Sequence, residues 1–273
     1  MLCFPNAKIN LGLNVVSKRP DGYHNIETVF VPIDLCDALE IVPTDDKKVT
    51  FTPFGTDVGG DAENNLVVKA YRLLDKYYDL PGAELFLHKQ IPFGAGLGGG
   101  SSDAAFALKM LNELFKLGCS ETRLEEIASE LGADCAFFVR NKPVFASGTG
   151  NRFESIVFSL TDYFLVLVKP DIFVSTPKAY AMIKPSLPKK SLKDIIQQPI
   201  ESWKNEMIND FETPVFSEYP SIKEIKNKLY ETGAVYASMS GSGSSVFGIF
   251  DVLPDGVSAL FPDCFCRTIR LNA

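Results

Sequence analysis

The sequence is poor in histidine, and its cysteines are scattered. His24 and His88 are the two histidines in 273 residues, which excludes a metal site built mainly from histidine. The six cysteines form no Cys-x-x-Cys pair, which argues against a zinc or dithiol site and favours reduced thiols. Any metal ion would therefore have to arrive with a phosphate ligand.

Basic charge and long apolar runs are also scarce. The chain carries 27 Lys and Arg against 34 Asp and Glu, a net charge of −7, so we expect no nucleic-acid partner. No apolar run reaches membrane-spanning length, and the N-terminus lacks a signal-peptide pattern, so we expect a cytoplasmic protein with no membrane partner. The length of 273 residues allows one large domain or two modest ones. The hydrophobic fraction of 46% is sufficient for a packed core.

The most informative stretch is residues 92–105, where five glycines and two serines lie between a strand pattern and a helix pattern. Residues 84–91 alternate apolar and polar side chains with a break at Lys89, and apolar residues recur at helical spacing after residue 103. A glycine-rich loop at a helix start lets a phosphate approach backbone N–H groups and the positive end of the helix dipole. We therefore predict a nucleotide-phosphate site, with Ser101 or Ser102 capping the helix and Gly118 ending it.

Other glycine-rich patterns fit this stretch poorly. Gly94, Gly96 and Gly99 match G-x-G-x-x-G, but a second helix follows where a dinucleotide fold requires a strand ending in an acid. The Walker A pattern fails because no lysine follows the glycines. A flexible linker is the remaining alternative, and the strand and helix patterns on either side disfavour it.

The N-terminal segment, residues 7–15, alternates strictly and predicts a strand with Lys8, Asn10 and Asn14 on one polar face. A turn at residues 18–22 should return a second, antiparallel strand. Lys8 is either a surface lysine or part of a polar ligand pocket with Asn10, Tyr23 and His24.

A lone acid, Asp134, lies inside the apolar segment 133–139. It is either a local turn acid or a functional carboxylate, because an acid is rarely buried without a partner. Elsewhere, residues 54–63 are expected to form a loop, Asn64 or Asn65 to cap a helix, and residues 122–125 to form a capping box.

The C-terminal part of the chain has a different character. We place a domain boundary near residue 158, which gives domains 1–158 and 159–273. A strand pattern at 163–168 is followed by helical patterns, by strand patterns at 235–239 and 245–250, by a short helical pattern and by a strand pattern at 264–271. Residues 240–244 form a second glycine/serine turn. This order predicts an antiparallel sheet with helices on one side.

Three motifs in the chain resemble those of the GHMP kinase superfamily, named for galactokinase, homoserine kinase, mevalonate kinase and phosphomevalonate kinase. They are residues 5–11, 92–105 and 240–247. The resemblance implies an α+β, two-domain GHMP kinase fold. Its N-terminal domain would be ribosomal-protein-S5-domain-2-like and ATP-binding, and its C-terminal domain a ferredoxin-like α/β sandwich with an antiparallel sheet. Residues 7–11, 19–24 and 132–134 further resemble the branch of this superfamily that phosphorylates the 2-hydroxyl of a cytidine-diphosphate-linked methylerythritol, in the methylerythritol phosphate route to isoprenoids.

The resemblance also implies roles for individual residues. Lys8 and Asp134 match the catalytic lysine and the general base, and the substrate positions are Asn10, Tyr23, His24, Thr149, Thr176 and Tyr180, with His24 reading the cytosine edge and Tyr180 stacking on the ring. The ATP positions are Asn65, Leu66, Lys89, Pro92, Phe93, Gly94, Ala95, Gly96, Leu97, Gly98, Gly99, Gly100, Ser101 and Ser102. Asp103 stands where the superfamily often has Asn.

The expected partners are ATP as co-substrate, Mg²⁺ carried with ATP, and a small-molecule cytidine diphosphate substrate. No dedicated metal site is expected in the protein, although Ser101 is the best candidate for a magnesium ligand. We expect a monomer or a weak homodimer. Two other functions stay open at this point: another GHMP small-molecule kinase of the mevalonate or homoserine type, and a non-catalytic nucleotide-binding regulator.

Overall fold

The structure is a computed structural model that describes residues 1–56 and 61–271. The described residues form two compact units. The first unit comprises residues from 1–7, 35–93 and 98–142, and the second comprises residues from 8–34, 94–97 and 143 onwards. Both units are discontinuous in sequence, whereas the boundary near residue 158 concerns two continuous domains, and that boundary stays a prediction.

Strands and helices occur in runs along the chain. The strands are β1 (Leu2–Cys3), β2 (Asn6–Lys18), β3 (His24–Cys36), β4 (Ala38–Thr44), β5 (Val49–Gly55), β6 (Gly82–Lys89), β7 (Val144–Ser147), β8 (Arg152–Ser155), β9 (Phe164–Pro170), β10 (Tyr236–Met239), β11 (Val246–Phe250) and β12 (Cys264–Arg270). The α-helices are α1 (Leu66–Tyr78), α2 (Gly99–Leu114), α3 (Glu121–Leu131), α4 (Phe137–Arg140), α5 (Thr176–Ala181), α6 (Leu192–Ile195), α7 (Ile200–Glu206), α8 (Glu212–Glu218) and α9 (Pro220–Glu231). Short 3-10 helices lie at Ala62–Asn64 and Val257–Leu260.

The first unit contains a four-stranded sheet in the order β1-β4-β6-β5. Strand β4 pairs antiparallel with β1 and with β6, and β5 pairs parallel with β6. The predicted loop at residues 54–63 is wrong at both ends, because Phe54 and Gly55 continue β5 and residues 62–64 form a 3-10 helix. Residues 57–60 of that prediction lie outside the described residues.

Helix α2 begins where the glycine-rich pattern predicted a helix, but its ends differ from the prediction. The N-cap is Gly98 in the left-handed region (φ 70°), and no side chain accepts a hydrogen bond there, so capping by Ser101 or Ser102 is wrong. Both serines lie inside the helix. The helix ends at Leu114, four residues before Gly118. Helix α3 is capped by Ser120, whose hydroxyl accepts from the Arg123 N–H, so the predicted capping box is also displaced.

The second unit contains two four-stranded sheets. Their orders are β2-β3-β7-β8 and β10-β11-β9-β12. In the latter sheet every neighbouring pair is antiparallel, as predicted for the C-terminal part of the chain. One of its faces packs against α9 through Ile222, Ile225 and Leu229, which belong to the same core cluster as Val166 and Val246. Helix α8 was not predicted, because seven residues that contain Pro214 are too few for a periodic pattern.

The described helices include none that is both long enough and apolar enough to cross a membrane.

Candidate active site

Lys8 is the centre of a buried hydrogen-bond network in the second unit. Strand β2 is buried on both faces from Asn6 to Val15, and Lys8 and Asn10 are 3% and 2% exposed. The Lys8 ammonium donates to Asn10 Oδ1 at 2.7 Å and to the Gly96 carbonyl at 3.1 Å, and it lies 5.1 Å from the centre of the Phe30 ring. Lys8 is therefore a buried, oriented cation, which excludes the surface-lysine alternative.

The second glycine/serine turn meets the glycine loop at the same point. Ser240 Oγ donates to the Gly96 carbonyl at 2.9 Å, and the Ser245 N–H donates to the Ala95 carbonyl at 3.2 Å. A Cβ on Gly96 would lie 2.0 Å from the Ser240 carbonyl oxygen, and Gly96 has a φ of 74°. Only glycine fits at this close approach. The structure thus brings together residues from all three motifs singled out in the sequence.

His24 and Tyr180 form an aromatic pair in the second unit. Their ring centres lie 4.9 Å apart with 17° between the planes, and Phe211 packs edge-on to Tyr180 at 4.8 Å and 87°. Burial and the nearby Lys18 lower the pKa of His24, which favours the neutral imidazole with one donor and one acceptor nitrogen. One face of the Tyr180 ring is covered by His24, so a base stacking on Tyr180 would use the other face or displace the imidazole.

The remaining predicted substrate residues occupy three different settings in this unit. The Thr176 hydroxyl lies 2.9 Å from that of Ser242, which ties the start of α5 to the second glycine/serine turn. Thr149 follows Gly148, whose carbonyl accepts from the Ile26 N–H in β3. Ile26 is two residues after His24, so this bond ties the Thr149 turn to the strand that begins with His24. Tyr23 is 67% exposed, and the structure does not bring its ring into the aromatic pair.

The N-terminal turn of α2 lies in the first unit and has the chemistry of an anion site. The first N–H groups of a helix lack intrahelical acceptors, and no side chain caps this one. The positive end of the helix dipole adds to their attraction for a phosphate. Gly94, Gly96 and Gly98 all have positive φ, so the loop that enters the helix has a backbone that other residues would strain.

The predicted adenine-side residues lie beside this turn. Asn65 caps α1 by accepting from the Val67 N–H at 2.9 Å. Leu66 lies close to Gly100, since a Cβ atom added to this glycine would be 3.6 Å from Leu66 Cδ1. Lys89 is buried, and its ammonium donates to Asp103 Oδ2 at 2.7 Å and to Asp37. Two carboxylates thus hold the Lys89 ammonium, so any contact with a nucleotide would come from the Lys89 backbone or from the groups that it positions.

Asp134 lies in the turn between α3 and α4 and is partly exposed. The turn is closed by the Cys135 N–H, which donates to the Gly132 carbonyl at 3.1 Å. Burial raises the pKa of the Cys135 thiol to about 11, and a contact with Ser101 opposes that rise. Because Ser101 belongs to the first turn of α2, the Asp134 turn lies beside the N-terminal turn of that helix.

Several residues that organise these sites were not predicted. Asn209 is buried and donates to the carbonyls of Met239 and Gly241, which fixes the second glycine/serine turn. Asp37, the single residue between β3 and β4, was also missed. The sequence did indicate that Lys89 needs a partner of opposite charge. Lys89 lies on the same face of β6 as Leu85 and Leu87, and a charge on a buried apolar face is costly without a partner.

Metal binding has limited support from the protein side chains alone. In residues 1–56 and 61–271, no group of three or more His, Cys, Asp or Glu side chains is arranged to hold a metal ion. The Ser101 hydroxyl, on the first turn of α2, is compatible with one ligand to a cation that arrives on a phosphate.

The fold and these three converging motifs define a small-molecule kinase of the GHMP class. The model of the GHMP kinases N-terminal domain matches residues 65–142, and that of the GHMP kinases C-terminal domain matches residues 191–258.

Full-length relatives of the chain identify its family within the GHMP kinases. The chain is 59% identical over 266 residues to the 4-diphosphocytidyl-2-C-methyl-D-erythritol kinase of Parabacteroides distasonis, and this alignment covers 97% of each chain. It is 58% identical over 274 residues to the kinase of the same name from Bacteroides fragilis, with full coverage of both chains. A crystal structure of 4-(cytidine 5'-diphospho)-2C-methyl-D-erythritol kinase superimposes over the full length of both chains, with a TM-score of 0.85 and 31% identity. The chain belongs to the 4-diphosphocytidyl-2-C-methyl-D-erythritol kinase family, and its α+β fold is that of the GHMP kinases, with N- and C-terminal domains.

Proposed function

We propose that the chain transfers the γ-phosphoryl group of ATP to the 2-hydroxyl of 4-diphosphocytidyl-2-C-methyl-D-erythritol, a step of the methylerythritol phosphate route to isoprenoids. Membership of the kinase family supports the substrate. The observation that carries the kinase chemistry is the buried junction of Lys8, Gly96 and Ser240, where three distant motifs meet around one cation.

ATP would be held through its phosphates by the N-terminal turn of α2. The glycine loop, residues 92–102, would give those phosphates access to backbone N–H groups, and Asn65, Leu66 and Lys89 would border the adenine. Mg²⁺ would arrive with ATP, with phosphate oxygens and water as its main ligands and the Ser101 hydroxyl as one protein ligand. The cation would supply charge neutralisation at the transferring phosphate.

Asp134 would act as the general base of the transfer. Its carboxylate would accept the proton of the 2-hydroxyl as that oxygen bonds to the γ-phosphorus and the bond from phosphorus to the ADP oxygen breaks. Lys8 would stabilise the negative charge of the transferring group, because a preformed cation stabilises the transition state without reorganising at the moment of reaction. General-base action is worth roughly 10² to 10⁴ in rate, so alignment and electrostatics would supply the rest.

The cytidine part of the substrate would lie against the aromatic pair. A neutral His24 offers both a donor and an acceptor to the cytosine edge, and Tyr180 offers a ring face for stacking. The other residues of the substrate side would be Asn10, Tyr23, Thr149 and Thr176, of which Thr176 is tied to the second glycine/serine turn.

ADP release by the purified protein tests this function. Reactions would contain ATP, Mg²⁺ and one alcohol: 4-diphosphocytidyl-2-C-methyl-D-erythritol, mevalonate or homoserine. We expect turnover only with the cytidyl substrate, and we expect Asp134→Asn to lose most of it while ATP still binds in calorimetry. Turnover with another alcohol would contradict the substrate, and wild-type rates in Asp134→Asn would remove Asp134 from the base role.

A further inference from the structure

Thr28 lies on β3, is completely buried, and forms the end of a hydrogen-bond relay that leads to Lys8. Its hydroxyl lies 2.6 Å from the Gly12 carbonyl and 2.9 Å from Asn10 Nδ2. Asn10 in turn contacts the Lys8 ammonium at 2.7 Å through Oδ1. No feature of the sequence separates Thr28 from an ordinary strand threonine.

The chemistry of the hydroxyl sets the direction of every bond in this relay. A threonine hydroxyl has a single hydrogen, and a carbonyl oxygen can only accept, so the Thr28 hydrogen goes to Gly12. Towards Asn10 the hydroxyl can then only accept. The Asn10 side chain must therefore present its NH₂ group to Thr28 and its oxygen to Lys8.

This orientation matters because the alternative amide orientation would oppose Lys8. If the Asn10 amide were reversed, its NH₂ group would face an ammonium that has only donors. The Lys8 ammonium would then lose the Asn10 acceptor at 2.7 Å, while the Gly96 carbonyl at 3.1 Å would remain. A buried group without its hydrogen bond is costly, so the cation would move.

We propose that Thr28 is a positioning residue for the phosphoryl transfer, which orients the Lys8 ammonium by fixing the amide of Asn10. The proposal rests on the catalytic role proposed for Lys8. Thr28 does not contact the ammonium in this relay and acts through Asn10.

Two substitutions separate the hydroxyl of Thr28 from its shape. Thr28→Val keeps the branched shape and removes the hydroxyl, whereas Thr28→Ser keeps the hydroxyl and removes a methyl group. For Thr28→Val we expect kcat to fall by up to roughly 10²-fold, because a displacement near 1 Å of a positioned group can cost that much in rate. The KM values of ATP and acceptor should change much less. For Thr28→Ser we expect kcat close to that of the wild type. A packing role predicts the reverse order of the two variants.

Thr232→Val is a control for the loss of a threonine hydroxyl outside the relay, because the Thr232 hydroxyl donates to the backbone carbonyl of Lys228 at the end of α9. Its kcat should stay at the wild-type value. Thermal unfolding of each variant separates a folding defect from a loss of turnover.

A second readout does not depend on turnover and separates this inference from the proposed function. In NMR spectra, the Asn10 side-chain NH₂ signals should exchange slowly with water in the wild type and in Thr28→Ser, and shift and exchange faster in Thr28→Val. If the wild type acts on a different alcohol, the same kcat comparison applies with that alcohol, and the proposed substrate alone fails. Unchanged Asn10 signals and unchanged kcat in Thr28→Val would overturn the positioning role.

Discussion

The buried cluster of Lys89, Asp37 and Asp103 gives a sharp prediction about stability. The side chains are 4%, 0% and 3% exposed, and one ammonium serves both carboxylates. Asp37 Oδ1 also accepts from the N–H groups of Gln90 and Ile91, at 2.6 and 2.9 Å. The cluster therefore ties the end of β6 and the start of the glycine loop to α2, which carries Asp103.

Replacing Lys89 with Met would leave the buried acids Asp37 and Asp103 without their cationic partner. Removing one partner of a buried ion pair costs about 3–5 kcal/mol, so we expect the free energy of unfolding to fall by that amount in Lys89→Met. At about 2–4 °C per kcal/mol for a protein of this size, the melting temperature should fall by roughly 6–20 °C.

Lys47→Met is the control, because Lys47 pairs with Asp79 at the surface of the same unit, with side chains 64% and 93% exposed. An exposed pair contributes about 0–1 kcal/mol. Urea unfolding of the wild type and both variants measures the difference. Equal losses in Lys89→Met and Lys47→Met would refute the reasoning from burial.

Three further predictions follow from individual residues. Burial raises the pKa of Asp103 to about 7, an effect that Lys89 opposes and Asp37 reinforces, so the native state keeps a proton that the unfolded state releases. The urea midpoint of the wild type should therefore fall as pH rises from about 4 to about 7. Asp103→Asn should flatten this dependence on pH. Gly96→Ala should lower kcat by about 10²-fold or more, because the Ser240 carbonyl must move and a shift near 1 Å misaligns a site. The control is Gly118→Ala, which should keep its activity because Gly118 has a similar φ of 71° and no atom within 4 Å of the added Cβ. Asn65→Ala should cost about 1 kcal/mol of stability through loss of the α1 cap, measured by thermal unfolding against Ser120→Ala, which removes the cap of α3 and should cost a similar amount.

The sequence predicted helix α2 after the glycine-rich stretch because its signals are local. The glycines mark the backbone that only glycine adopts without strain, and the helical periodicity that follows is a property of neighbouring residues. The cap was predicted wrongly because serine is a common N-cap residue, whereas here Gly98 starts the helix and the serines fall one turn later.

The relay and the ion cluster could not be predicted in the same way. Thr28 and Asn10 are 18 residues apart, and Lys89 and Asp37 are 52 apart, so their contacts depend on strand pairing that no local pattern encodes. Lys8 shows the limit clearly: its alternation in β2 predicted a polar face, and only the packed sheet shows that this face is buried. The break in alternation at Lys89 was visible, but its partners were not.

Identification of the product tests the central proposal most directly. The purified protein would be incubated with ATP, Mg²⁺ and 4-diphosphocytidyl-2-C-methyl-D-erythritol, and the products followed by ³¹P NMR with two-dimensional correlation to the carbon-bound protons. The account predicts a new phosphate monoester on the 2-position of the methylerythritol, an intact cytidine diphosphate linkage, and one ADP for each product. Inorganic phosphate as the sole new phosphorus signal besides ADP, or a monoester on another hydroxyl, would contradict it.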